Sequence, residues 1–321
     1  MHARRKVLCA GAAMAAFWSA AALGQAYPGK PIQLVVAFAP GGAGDIVARL
    51  VARKMGEDLG RPVVIENRPV PVASAALVAS AKPDGHTLLM AGSGTALTSA
   101  LFNRLPYDLA KDFRHISTLS SFDLVLVADK QQKFRTVADV IAYAKAHPGQ
   151  LALGTARVGS TQNLAGELFR SMAGVEVLIV PYKTTGDLVS AVRAGDVQVA
   201  LEMLPAVLGQ VQNRTVHPLA VTALKRFSRL PDVPTVSESG LPGFEAASWN
   251  GISVPAATPP QVVQRIHSAI AKAVADPGLQ RELLDLGFVA QASTPEQMAQ
   301  RMQADIRKWA DVIAKAHIQR H

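Results

Sequence analysis

From Ile32 onward the chain alternates short apolar, β-branched runs with amphipathic segments, the rhythm of βα units on mostly parallel sheets. Ile32 to Phe38 reads as a buried strand and Pro40 to Asp45 as a glycine-rich turn. Ile46, Val47, Leu50, Val51 and Met55 then recur at helical spacing, so the turn opens directly into a helix N-terminus. Val63 to Glu66 is the next strand, and the turn Lys82-Pro83-Asp84-Gly85 leads into another at Thr87 to Met90.

A second set of units starts after a strand around Leu124 to Val127. Thr136 to Ala146 has helical periodicity and meets a stop signal at His147-Pro148-Gly149. Strands are expected at Leu151 to Leu153, Val177 to Val180, Val197 to Leu201 and Leu219 to Val221, with helices starting near Ser160, Thr185 and Pro205. The proline-rich stretch from Leu230 to Pro242 reads as a surface connection. Trp249 to Val254 is a further strand and Pro259 to Ala275 a helix opened by proline; Thr294-Pro295-Glu296 caps a last helix running toward Ala316. With the strands near Leu124 and Gly251 as the two crossings, the chain divides into a first α/β domain, 27–125 completed by 249–321, and a second, 126–248.

Ahead of the first strand, Arg4, Arg5 and Lys6 form a basic region, Val7 to Leu23 is uncharged and alanine-rich, and Gly24-Gln25-Ala26 offers small residues for cleavage. This predicts a signal peptide over 1–26 and a periplasmic protein. The run is short and alanine-dominated for a retained membrane span. Arg4-Arg5-Lys6-Val7-Leu8 also matches the core of a twin-arginine signal, so both export routes stay open. Cys9, the only cysteine, lies within this leader, and the exported chain would carry no disulfide. Removing 26 of the 321 residues still leaves more chain than one hydrophobic core usually holds, which argues for two domains. The net charge of +9 falls to +6 when three basic residues leave with the leader. The remaining Lys and Arg are scattered, which argues against nucleic-acid binding, although a mild positive field steers anions.

Two loops carry the candidate chemistry. In Pro40-Gly41-Gly42-Ala43-Gly44-Asp45 the glycines let consecutive N–H groups face outward, and the helix behind them adds the positive end of its dipole, which together make an anion site. The alternative reading is a tight turn in which Asp45 caps its own helix. The spacing matches neither a dinucleotide fingerprint nor a P-loop. Gly154-Thr155-Ala156-Arg157-Val158-Gly159-Ser160 repeats the arrangement in the second half, so two helix starts could face one another across a cleft. Gly92-Ser93-Gly94-Thr95 follows a third strand and either lines the same side or is an ordinary strand-to-helix turn. Lys183, after Pro181-Tyr182, is either a ligand partner or a solvated strand-end lysine. There is no G-x-S-x-G nucleophile elbow, and the histidines are dispersed. His317 and His321 have metal-like spacing but read as exposed tail residues, so neither metal nor cofactor is expected.

At these loops the sequence resembles the Bug-type extracytoplasmic solute receptors of tripartite tricarboxylate transporters. The resemblance rests on Phe38-Ala39-Pro40-Gly41-Gly42 with Asp45, Glu66-Asn67-Arg68-Pro69, Pro83-Asp84-Gly85, Leu105-Pro106-Tyr107-Asp108 and Leu164-Ala165-Gly166-Glu167-Leu168-Phe169. It continues through Val180-Pro181-Tyr182-Lys183, Leu230-Pro231-Asp232-Val233-Pro234-Thr235-Val236, Gly240-Leu241-Pro242-Gly243 and Ser248-Trp249. It implies a type II-like periplasmic-binding-protein fold of two α/β domains, a ligand cleft between them that closes on binding, and a monomer. The implied ligand is a small organic anion, a carboxylate or an amino acid, gripped by Phe38, Pro40 to Asp45, Ser93 to Thr95 and Thr155 to Ser160, with Asn163, Lys183 and Glu202 nearby. Delivery to membrane permease subunits is the implied role; presentation to a sensor kinase is the alternative, and a periplasmic hydrolase or lyase using Lys183, Glu202 or a histidine is a third reading. Three departures from the usual pattern stand out. Val70-Pro71-Val72-Ala73-Ser74 replaces a glycine-rich stretch; Arg157 and Asn163 stand where glycine and histidine are common; Glu202 replaces an aspartate. Arg157 either reaches a second carboxylate of the ligand or points to solvent.

Overall fold

The computed structural model describes residues 27–131 and 134–321. The leader expected over 1–26, with Cys9, lies outside the described residues. The chain forms two sheets, each sandwiched by helices. The first contains β1 (Ile32–Val36), β2 (Val63–Asn67), β3 (Thr87–Gly92), β4 (Phe113–Phe122), β10 (Ser248–Pro255) and β11 (Val289–Ala290), in the order β11-β4-β10-β3-β1-β2. The second contains β5 (Leu124–Asp129), β6 (Leu151–Ala156), β7 (Val177–Tyr182), β8 (Val199–Met203) and β9 (Val216–Val221), in the order β7-β6-β8-β5-β9.

Burial on both faces explains the continuous apolar runs. Along β1 the side chains alternate between two cores, as the strand period of two requires. Leu34 and Val36 join Val47, Val51 and Met55 of helix α1 (Ala43–Leu59) and Ile266 of α8 (Pro260–Ala275). Val35 faces the opposite way, toward Ala75 and Val78 of α2 (Pro71–Ala79) and Met298 and Met302 of α10 (Pro295–Lys315). In the second sheet Leu124 and Leu126 face one core while Val125 and Val127 face the other. Each such side chain contributes about 1.5–3 kcal/mol of burial.

The remaining helices are α3 (Ser93–Leu101), α4 (Val137–Ala146), α5 (Thr161–Ala173), α6 (Thr185–Ala194), α7 (Leu204–Gln212) and α9 (Pro277–Asp285). Capping signals place several starts where expected: the Thr136 hydroxyl accepts from Asp139 N, that of Ser160 from Asn163 N, and that of Thr294 from Gln297 N.

The expectation of mostly parallel sheets is corrected: both sheets are mixed. Parallel pairings join β1 to β2 and β3, and β6 to β7 and β8, whereas β4, β5 and β10 pair only antiparallel. The reason is topological. The chain passes from one sheet to the other into β5 and again into β10, so neither arrives through the crossover helix that a parallel pair needs, and β4 pairs only with β10 and with β11. β4 escaped the sequence pattern because its buried positions include His115, Ser117, Thr118 and Ser120. Three of them find partners close by: His115 Nδ1 and the Ser253 hydroxyl lie 2.8 Å apart, Thr118 donates to Gln291 O at 2.6 Å, and the Ser117 hydroxyl accepts from Ser293 N at 2.9 Å. The two helices α2 and α9 and the two-residue β11 were also unexpected. The stretch from Leu230 to Pro242 is more than a surface connection, since Val236 and Leu241 are buried in the second-lobe core.

Only Asp123 separates β4 from β5, and the chain returns past Glu245 into β10. A third link is α10, whose first half packs beside Trp249 while Trp309, Val312 and Ile313 enter the core that contains Phe169 of α5 and Leu97 and Leu101 of α3. The terminal residues are tied to the same place, with His321 N donating to Leu101 O at 2.9 Å.

Burial, reinforced by the charge of Glu245, pushes the Asp123 carboxyl up to about 7. Its folded value exceeds its unfolded one, so the folded state loses stability as pH rises from the ordinary carboxylate range through about 7. Asp123→Asn is therefore expected to raise the melting temperature more at pH 8 than at pH 5, and a pH-independent effect would contradict this. Trp309→Ala is expected to cost about 3–5 kcal/mol in urea denaturation. A loss below about 1 kcal/mol would show that α10 does not hold the lobes' shared core.

Candidate ligand site between the lobes

A cavity of about 330 Å³ lies between the two sheets, walled by both lobes. Its first-lobe wall begins at the end of β3, where the chain turns into α3. A Cβ on Gly92 would overlap the carbonyl oxygen of Trp249, so only glycine lets β10 pass this close. The Ser93 hydroxyl accepts from Trp249 N at 3.0 Å, and Thr95 Oγ1 accepts from Gly92 N at 3.2 Å. These bonds hold the first turn of α3 against the cavity, and Ser93, Gly94 and Thr95 all line it.

The second-lobe wall is the start of α5. Asn163 locks the preceding loop, its Oδ1 accepting from Gly159 N at 3.1 Å while its own N–H donates to Ser160 Oγ at 3.1 Å. Gly159 has φ +73, and a Cβ there would stand 3.1 Å from Leu101 Cδ1 of the first lobe, so the lobes meet at this point. The first-turn amides of Thr161 and Gln162 have no intrahelical acceptor, and both residues line the cavity. Ala156, Arg157, Gly159, Ser160 and Lys183 complete that wall, with the Arg157 and Lys183 side chains exposed at its edge. No Asp or Glu lines the cavity among the described residues. An anion therefore meets two cations and an open helix N-terminus with no like charge in the wall.

Of the expected Pro40–Asp45 loop, only the neighbouring Phe38 lines the cavity. Pro40, Gly41, Gly42, Ala43, Gly44 and Asp45 lie outside it, and the reason is Asp45. Its buried carboxylate accepts from Gly41 N at 2.8 Å, Arg49 Nε at 2.9 Å and Asn67 Nδ2 at 2.8 Å, while Gly42 N donates to Ala39 O at 3.0 Å. Burial alone would raise this carboxyl, but the bonds from Arg49, Asn67 and Gly41 prevail and hold it below the usual range. The N-terminus of α1 thus carries its own anion. A Cβ on Gly44 would overlap the Phe38 ring, so that glycine serves packing. The first-lobe helix start that faces α5 is α3, not α1. Thr155, Val158, Asn163 and Glu202 also stand outside the wall: Thr155 and Asn163 brace the loop, Val158 is exposed, and Glu202 lies behind Gln162.

Several wall residues were not anticipated as site residues. Tyr107, Ser248, Trp249 and Asn250 come from the loop after α3 and from β10; Leu89, Leu97, Leu101 and Phe122 make its apolar surface. Pro71, from the stretch that replaces the glycines, and Ala75 one turn further along α2 also line the cavity. Tyr107 and Ser248-Trp249 were visible only as parts of motifs. Burial pushes the Tyr107 phenol up to about 12, so it stays a neutral hydroxyl.

The tripartite tricarboxylate transporter family receptor pattern matches residues 47–318. The chain belongs to this receptor family. BugT of Bordetella pertussis is 32% identical over 291 residues, 89% of this chain and 89% of BugT. Among solved structures, R. palustris Rpa4515 with adipate superposes with a TM-score of 0.80 at 33% identity, covering 91% of this chain and 99% of that one. MatC from Rhodopseudomonas palustris with bound malate gives 0.75 at 32% identity, covering 89% and 100%. Tripartite tricarboxylate receptors are periplasmic solute-binding proteins rather than enzymes, and their two-sheet fold is the one described above.

Because the folded Asp45 carboxyl lies below its unfolded value, its stabilisation is present above the ordinary carboxylate range and lost as pH falls through the folded value. Asp45→Ala is expected to cost about 2–3 kcal/mol at pH 7, since it strands the Gly41 amide and two side-chain donors. The deficit relative to wild type should shrink in acid; an equal deficit at pH 7 and pH 3 would show that the charge does not carry it.

Proposed function

We propose that this receptor captures a small organic carboxylate in the cavity between α3 and α5, without chemical turnover, and delivers it to the membrane subunits of a tripartite transporter. The observation that carries this reading is the cavity's charge pattern: two cations and an open α5 N-terminus on one side, and no carboxylate in the wall. Adipate and malate in the two R. palustris relatives support the same ligand class. A few charge-assisted hydrogen bonds at about 1.5–3 kcal/mol each, with burial of an apolar body, are enough for micromolar binding after the cost of association. The contribution of exposed Arg157 and Lys183 is smaller than that of the amides, because water screens it. The leader over 1–26, the division at 125/126 and 248/249, and action as a monomer belong to the same proposal, since a receptor that bends between two lobes needs no partner copy.

A screen of organic acids by thermal shift tests it. At a hundredfold excess over Kd, a ligand should stabilise the fold by about 2.7 kcal/mol, and the ligand should be recovered unchanged. No stabilisation by adipate, malate or any other carboxylate would end the proposal. In the double variant Arg157→Ala/Lys183→Ala, affinity for the best acid should fall about three- to tenfold and its salt dependence should weaken.

A further inference from the structure

The helix starts around the cavity differ in whether a ligand can use them. At α3 and α5 the first turns belong to the wall, and Gly94, Thr95 and Ser160 keep accessible surface there. At α1 the place is taken by the Asp45 carboxylate, and the Phe38 ring lies against the first turn, where a Cβ on Gly44 would overlap it. At α2 the first residue, Pro71, lines the cavity and has no N–H to offer. At α7 the Leu204 amide donates to Asp123 O at 2.8 Å, Pro205 beside it has no N–H, and the cavity meets Met203 instead.

The wall is therefore two-sided. In the strand order β3-β1-β2, β3 leads into an open helix start, whereas β1 and β2 lead into Phe38 and Pro71. In the other lobe Arg157 and Lys183 follow β6 and β7, and Met203 ends β8. Phe38 and Met203 pack against the same core, the one that contains Phe122, which brings apolar groups of the two lobes to one side. Phe38, Pro71 and Met203 are each half-buried, so they have surface that a ligand can cover.

A carboxylate between α3 and α5 meets amides and two cations. A second carboxylate at the far end of the same ligand would press on a phenyl ring, a proline and a thioether, losing hydration with no donor to replace it. An alkyl or aryl group is instead stabilised there by burial. The space suffices, since a cavity of about 330 Å³ exceeds the roughly 150 Å³ that encloses a benzene ring.

Resting on the carboxylate-receptor reading, we infer that the ligand is a monocarboxylate with an apolar alkyl or aryl body, its charge held between α3 and α5 and its body against Phe38, Pro71 and Met203, and that this wall discriminates against dicarboxylates.

Matched acids that differ only at the far end provide the test: hexanoate against adipate, and 3-phenylpropanoate against 3-(4-carboxyphenyl)propanoate, with malate alongside. Isothermal titration of the wild-type protein should show at least one monoacid binding about fivefold tighter than its diacid partner, or better. In Phe38→Ala that monoacid should weaken about five- to tenfold, with a smaller change for the diacid, so that the ratio narrows. Pro71→Gly, which returns an N–H to the α2 start, should narrow the ratio from the other side by tightening the diacid, and it serves as the second variant if the first folds poorly. A smaller preference in both wild-type pairs, a ratio that neither folded variant narrows, or binding of malate alone overturns the inference and leaves the receptor reading standing. No binding by any of the five acids overturns both.

Discussion

The close approach of β10 to the first turn of α3 is the contact on which the cavity depends. It requires the missing side chain at Gly92, and it is sealed by the Ser93 hydroxyl accepting from the backbone of Trp249. The indole N–H of Trp249 donates to Asp305 of α10 at 2.7 Å, and the Arg301 guanidinium lies 5.1 Å from the centre of its ring. One strand, one helix start and the C-terminal helix thus form a unit, with Ser248, Trp249 and Asn250 presented to the cavity from its edge. The same helix continues into the core of the other lobe through Trp309, so the wall and the link between lobes are built from one element.

The electrostatics of the three glycine-bearing loops divide along the same line. Each opens a helix, and each helix N-terminus attracts negative charge. At α1 the demand is met internally by Asp45, and the loop becomes a structural clamp. At α5 the cap is the neutral Ser160, the amides of Thr161 and Gln162 remain open, and Arg157 and Lys183 stand beside them. The glycine-richest of the three loops is therefore the one whose positive end already holds a carboxylate of its own chain.

Strand β4 and Glu202 illustrate how tertiary structure conceals chemistry from a linear reading. Ser117 and Thr118 of β4 resemble surface residues until Ser293 and Gln291 provide their partners. Glu202 resembles a cleft-wall acid. Three donors from α5, α6 and the start of α7 instead hold it behind Gln162, where it acts by fixing that amide.

The sequence by itself determined the α/β architecture, the positions of most strands and capped helices, and the family, because periodicity, caps and ordered motifs are local properties. That Phe38, Ser93 to Thr95, Arg157, Ser160 and Lys183 line the cavity follows from the same local signals, since each sits at a strand end where a loop opens a helix. Only the tertiary structure decided that Asp45 neutralises its own helix, that the crossing strands run antiparallel, and that Tyr107, Gln162, Ser248 and Asn250 share one cavity. Those facts depend on groups that meet across many residues of intervening chain, 22 between Asn67 and Asp45 and 156 between Trp249 and Ser93. A hydrogen bond at such separation leaves no periodic trace in the order of amino acids, since it is fixed by packing rather than by neighbours along the chain.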